Sequence, residues 1–310
     1  MCLFVVVWHE KTIGSTAFVF DGTHGWADLN LADIFYFNIT LLAVPTFLAM
    51  SGWLVAERIG DPSHLFKRII RFGALYIFWS ALYSLVFRVP LLCPEVSVGC
   101  YVKKILTGNY AYDTYYLLVL MIQDCTLALL VTAGRTWGRR LSWMLVAAFV
   151  TTSALGLLGL STSLSAFYSP VSFAAIPAAV YAVRCDGRRF AALGAVTLLP
   201  ALSVLFAAGE WTIYLEHATA TAFPNYARPS VVVGAMALVA LCQRTAGAPG
   251  TFIRHMSDVT LGVYLVHPFV IVLLEQDGFR LRQPFMTAVV LGISYGAVLV
   301  LRPLMRQRLI

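Results

Sequence analysis

His9 and Glu10 close the first apolar run of the chain, and a second histidine, His267, stands before Pro268 inside SDVTLGVYLVHPFVIVLL, residues 257 to 274. Imidazole exchanges its proton near neutral pH, so either ring suits general base catalysis. Glu10 is the neighbour that could tune His9, but adjacent helical residues point about 100° apart, so Glu10 need not be its partner, and the sequence leaves open which carboxylate, if any, orients the ring. Tyr264, three residues before His267, shares its helix face. Pro268 lacks the backbone donor that would pair with the Tyr264 carbonyl, and the helix should bend there. A bent helix offering a freed carbonyl, a phenol and an imidazole makes a wall for a polar tunnel, because irregular backbone at membrane depth is tolerated where it lines a cavity. Asp124, beside Gln123 in LVLMIQDCTLALL, must be neutral, paired or facing water. At the other pole of the chemistry, Arg68 and Arg71 lie three residues apart and hence on one helix face, near Arg58 and Lys67. Guanidinium groups pair bidentately with phosphate oxygens, so this cluster suits a phosphorylated ligand. Each group also has a purely structural reading: His9 at a helix end touching water, His267 bonded between helices, and the basic cluster obeying membrane topology alone.

These groups need elements to hold them, and the composition dictates which kind. Of the 310 residues, 60% are hydrophobic and 12% charged, and the mean hydropathy is +0.80, whereas a soluble domain carries about 25% charged residues. The chain reads as an all-α integral membrane protein. Apolar windows of about 20 residues fall near 31–56, 65–87, 113–133, 141–160, 163–183, 189–208, 229–243, 256–275 and 283–304, with a short one at the start, MCLFVVVWHE. About ten transmembrane helices result. No run alternates apolar and polar residues as barrel strands do. Loops are mostly short and no repeat recurs, so residues 1–310 read as a single domain. Only eight residues precede His9, about 12 Å of helix against a hydrocarbon core of about 30 Å. Either the helix continues through EKTIGSTAFVF and carries His9, Glu10 and Lys11 into the membrane, or, the favoured reading, the first span is N-terminally shortened, the outer half of a helix whose inner half is missing.

The larger share of the 22 basic residues falls on one side if both termini are cytoplasmic, which predicts a multi-pass protein of the cytoplasmic membrane. The same rule accounts for the net charge of +7 without a nucleic-acid partner. None of the six cysteines pairs with histidines at metal-ligand spacing, so no metal is expected. Cys93 and Cys100 share the largest outer loop, as a disulfide or as two thiols, while Cys2, Cys125, Cys185 and Cys242 read as packing residues. Membrane lipids are the one certain partner class, and nothing in the sequence fixes an oligomeric state.

Four stretches, in order across nearly the whole chain, resemble the membrane-bound acyltransferase 3 family, in particular its branch that O-acetylates bacterial surface polysaccharides. They are VVVWH, VPTFLAMSGWLV (44–55), KRIIRFGALYIFWSALY and SDVTLGVYLVHPFVIVLL. The resemblance implies that His9 is the catalytic base and that Arg68 and Arg71 form the basic pair at the acyl-CoA entrance. Ser51 and Gly52 match the family's serine-glycine motif, and Tyr264 and His267 match its late tyrosine-histidine-proline motif. It implies acyl-CoA, with acetyl-CoA foremost, as co-substrate with no permanently bound cofactor, and a glycan or lipid-linked sugar as acceptor. Three departures stand out. The arginine that usually precedes the first histidine by about three turns would lie before Met1. Tyr116 takes the place of a usual tryptophan, and Gln123 and Asp124 occupy a place commonly small and apolar. A transporter or exporter using His9, Asp124 and His267 as relay groups is the rival reading, and a non-catalytic membrane subunit is the third.

Overall fold

Backbone groups in hydrocarbon must pair within their own segment, so apolar runs of this length close into helices. The computed structural model describes residues 2–9, 38–57, 62–87, 115–158, 160, 170–185, 195–217, 228–245, 251–279, 281 and 285–309. Among these residues, ten helices of eight residues or more follow one another. They are α1 (Cys2–His9), α2 (Ala43–Glu57), α3 (Pro62–Phe87), α4 (Tyr115–Thr132), α5 (Gly134–Leu157), α6 (Pro170–Cys185), α7 (Ala195–His217), α8 (Pro229–Thr245), α9 (Thr251–Gln276) and α10 (Phe285–Leu309). No strand occurs among the described residues. The all-α expectation holds. Proline opens α3, α6 and α8, where its fixed φ suits the first helical position and its missing N–H costs nothing. Among the described residues, four stretches are long and apolar enough to cross a bilayer: Asn38–Ala56, Tyr115–Thr132, Gly134–Leu157 and Asp258–Gln276.

The helices gather into two compact units whose segments alternate along the chain. One holds α2, the later part of α4 and α5 to α8; the other holds α1, most of α3, the start of α4, α9 and α10.

In the first unit α8 lies against α7 and α2, and α6 against α5 and α2. Val55, Leu65, Leu127, Leu130, Ala178 and Tyr181 form a buried apolar cluster. Two glycines permit close approach. At Gly138 an added Cβ would stand 2.2 Å from the Leu130 carbonyl oxygen and 2.8 Å from the Tyr181 hydroxyl, and at Gly234 it would meet Leu42 and Ser203 at 2.7 and 2.8 Å. Gly134 adopts φ +77°, a left-handed conformation that glycine accepts without steric cost, and turns the chain from α4 into α5.

The start of α8 is held by a buried polar cluster. The first N–H groups of a helix have no intrahelical acceptor, and here the Ser230 N–H donates to Glu210 Oε1 at 2.7 Å while the Ser230 hydroxyl donates to Oε2 of the same carboxylate. Arg228 stands 3.5 Å from Glu210 Oε2 and donates to Asn38 Oδ1 at 2.8 Å. Both charged side chains are buried, Arg228 completely. Cys125 and Cys242 are exposed and Cys185 is partly so. The first two face outward from their helices, contrary to the packing role expected from the sequence; Cys2, Cys93 and Cys100 lie outside the described side chains.

In the second unit α1 lies against α9 and α10, and α9 against α10. Gly262 of α9 allows that last approach, since a Cβ there would come within 2.8 Å of Val298. A 2.7 Å hydrogen bond between the His255 ring and the Tyr295 hydroxyl joins the same pair. Helix α3 meets α9 through the Tyr83 hydroxyl, which donates to the Leu265 carbonyl at 3.4 Å. The Trp79 and Tyr83 rings also lie 5.7 and 3.8 Å from that of Phe269.

Candidate active site

The Tyr264 carbonyl is the acceptor four residues before Pro268, whose ring nitrogen carries no hydrogen. In the structure His267 fills that vacancy: its Nδ1 lies 2.7 Å from the Tyr264 oxygen. A carbonyl can only accept, so Nδ1 carries the proton, and in the neutral ring Nε2 carries the lone pair. Proline and histidine are therefore one device, in which the side chain replaces the donor that the backbone lost. His267 and Tyr264 are fully buried, at 0% and 1% exposure.

Helix α1 ends at His9, which is partly exposed, and places its ring 5.4 Å from that of His267 at an interplanar angle of 45°. From His267 the contacts continue inward. Its ring lies 5.7 Å from that of Tyr264, which in turn lies 4.7 Å from Tyr116 at the start of α4. On α3 of the same unit the Arg68 guanidinium stacks over Phe72 one turn along, 5.0 Å from the ring centre. A connected row of rings thus runs from Tyr116 through Tyr264 and His267 to His9, in the same unit as Arg68.

The other residues singled out by sequence are placed as follows. Arg71 and Lys67 are exposed on α3, whereas Arg68 is half-buried. Glu10 and Arg58 lie outside the described residues. Ser51, Gly52 and Asp124 belong to the first unit. There the Gln123 amide, oriented to satisfy its surroundings, donates to the Leu48 carbonyl at 2.9 Å; its oxygen accepts from the Gly52 N–H at 3.0 Å and the Ser51 hydroxyl at 3.3 Å. The side-chain amide bridges the two ends of one helical hydrogen-bond step, and gives Ser51 and Gly52 a structural partner. Asp124 beside it is fully buried.

A family model described as an acyltransferase domain matches residues 1–302. The chain belongs to the acyltransferase 3 family. No curated protein and no solved structure matches it. Membership supports a membrane acyltransferase activity, and its membrane character agrees with the long apolar helices. For such an enzyme the geometry supplies a cation, a run of aromatic rings and two imidazoles in contact. Sequence reasoning missed two things here. The neighbour of His9 is an imidazole from α9, and the Glu210–Arg228 cluster went unremarked, although Glu210 after the apolar run AVTLLPALSVLFAAG was a readable sign of it.

Proposed function

We propose that this acyltransferase moves an acyl group, acetyl foremost, from cytoplasmic acyl-CoA to a hydroxyl of a cell-envelope sugar or polysaccharide, with His9 as general base. The observation that carries the reading is the row of ring contacts from Tyr116 to His9 in the unit that also holds Arg68. The CoA phosphates pair with Arg68 and Arg71, with Lys67 beside them on the same helix, and the acyl arm passes along the aromatic row. The acceptor hydroxyl oxygen attacks the thioester carbonyl carbon as His9 takes its proton. The tetrahedral intermediate then expels the CoA thiolate, and the proton leaves His9 for the sulfur, so an ester and CoA thiol are the products. Glu10 stands as an auxiliary group in this reading. Acyl-CoA is a co-substrate; no metal or resident cofactor enters the scheme. The enzyme sits in the cytoplasmic membrane with both termini inside, which places the donor and Arg68 on the same side.

The test is thioester consumption by the purified protein in lipid nanodiscs, with acetyl-CoA as donor and envelope polysaccharide as acceptor. His9→Ala should fold, retain acetyl-CoA binding and lose about 10²- to 10⁴-fold in kcat, the usual contribution of a general base. Equal turnover by His9→Ala would defeat the assignment. Solute flux into sealed vesicles without thioester loss would instead favour transport.

A further inference from the structure

We infer that His267 is a positioning residue for His9: the carbonyl that Pro268 leaves without a backbone donor fixes the His267 tautomer, and the fixed ring orients the base. The inference rests on the reading of His9 given above and deepens it. Three observations carry it.

First, the Nδ1 to Tyr264 oxygen distance of 2.7 Å is that of a well-formed N–H···O bond, and the acceptor's nature leaves one possible donor. Tautomer choice in a buried histidine is set by the bond its other nitrogen makes, so His267 presents an Nε2 lone pair. Second, the bond is built into the helix. Any other residue at 268 would offer its own N–H to the Tyr264 carbonyl and compete with the ring; proline cannot. Third, the rings of His9 and His267 are neighbours, 5.4 Å apart between centroids and tilted by 45°, so the fixed ring stands beside the base. An Nε2 acceptor at that place selects the His9 tautomer whose proton points toward α9. The opposite nitrogen of His9 then keeps the lone pair that a general base needs. When His9 takes the hydroxyl proton, the resulting imidazolium donates toward a neutral ring whose far side is anchored on a carbonyl dipole, so the positive charge is met by aligned acceptors. No carboxylate is required for this arrangement, which resolves what the adjacent Glu10 left open.

The test uses the full chain in nanodiscs and two substitutions that separate fold from tautomer. His267→Asn keeps an amide donor able to reach the carbonyl three residues back but carries no atom at the Nε2 position. Pro268→Ala keeps the imidazole and restores the backbone N–H that competes for the Tyr264 carbonyl. Both should insert and remain folded, the second because it repairs a helical hydrogen bond. With acetyl-CoA as donor, His267→Asn should lose about 10- to 100-fold in kcat, the range seen when a group that orients another residue is removed, with KM for acetyl-CoA unchanged within twofold. Pro268→Ala should lose less, again in kcat alone. In nitrogen NMR of protein labelled at histidine, the resonances absent from His267→Asn should report a neutral ring protonated at Nδ1, and Pro268→Ala should move them toward the other tautomer. Wild-type kcat in His267→Asn, or a ring protonated at Nε2 in the unmodified protein, overturns the inference. An active His9→Ala protein would instead defeat the underlying base assignment. An inactive His9→Ala beside a fully active His267→Asn removes only the positioning role.

Discussion

Arg68 and Arg71 carry the same charge three residues apart, yet their surroundings differ. Arg68 is half-buried and stacked on Phe72, whereas Arg71 stands in the open. A charge-assisted hydrogen bond contributes about 1.5–3 kcal/mol, while exposed ion pairs yield about 0.2–1 kcal/mol. Arg68→Ala should therefore raise KM for acetyl-CoA by about 10- to 100-fold, and Arg71→Ala by no more than about fivefold; steady-state kinetics on the two variants checks the order. Arg68→Lys should not restore the lost affinity, because an ammonium lacks the planar fork and stacks less well on Phe72. At this scale the sequence disclosed which side chains stood out: His9, His267 and Arg68 each sit in or beside apolar runs and are conspicuous for it. It could not disclose that the rings of two histidines 258 positions apart are neighbours, since that depends on α1 lying against α9. Helical periodicity orders residues within one helix and says nothing of its neighbours.

The start of α8 shows what a single carboxylate can do for an element. Glu210 accepts from both the backbone and the side chain of Ser230 and faces Arg228, all in the buried interior. Removing one member of such a pair leaves the other charge uncompensated, a loss of about 3–5 kcal/mol, whereas replacing both by apolar residues of similar volume is nearly neutral. Glu210→Ala should thus lower unfolding stability in detergent micelles by that amount, and Glu210→Leu with Arg228→Met should recover most of it. Helix positions were legible wherever an apolar run ended in charges: 65–87 became Pro62–Phe87, and 229–243 became Pro229–Thr245. They slipped where the backbone stayed helical through polar side chains. Helix α5 begins at Gly134, before the window at 141, because RTWGRR closes its hydrogen bonds as readily as an apolar segment. Helix α7 runs to His217, beyond the window's end at 208, through GEWTIYLEH.

Taken whole, the surface fits an apolar solvent. Large side chains stand outward along several helices, among them Phe66, Ile77, Trp143, Val204 and Val300, exposed by 52% to 74%. In water such a surface would aggregate; in a bilayer it meets lipid tails. Single-tryptophan proteins in brominated lipid should accordingly lose fluorescence at Trp143, and keep it at Trp79 and Trp211, each only 4% exposed. Membrane character was written plainly in the composition. The division of the helices into two interleaved units was not, because it follows from which pairs of segments touch rather than from any segment alone.

The bare carbon at position 138 carries a lesson for anyone screening variants of this enzyme. With the Leu130 oxygen already where a methyl would go, a saturation library should return glycine alone at that codon among surviving clones. At 209, 292 and 296, where a methyl meets nothing within 4 Å among the described residues, alanine should be enriched, because it trades a flexible residue for a better helix former. Glycines that look interchangeable in the gene should diverge in fitness according to the room around them.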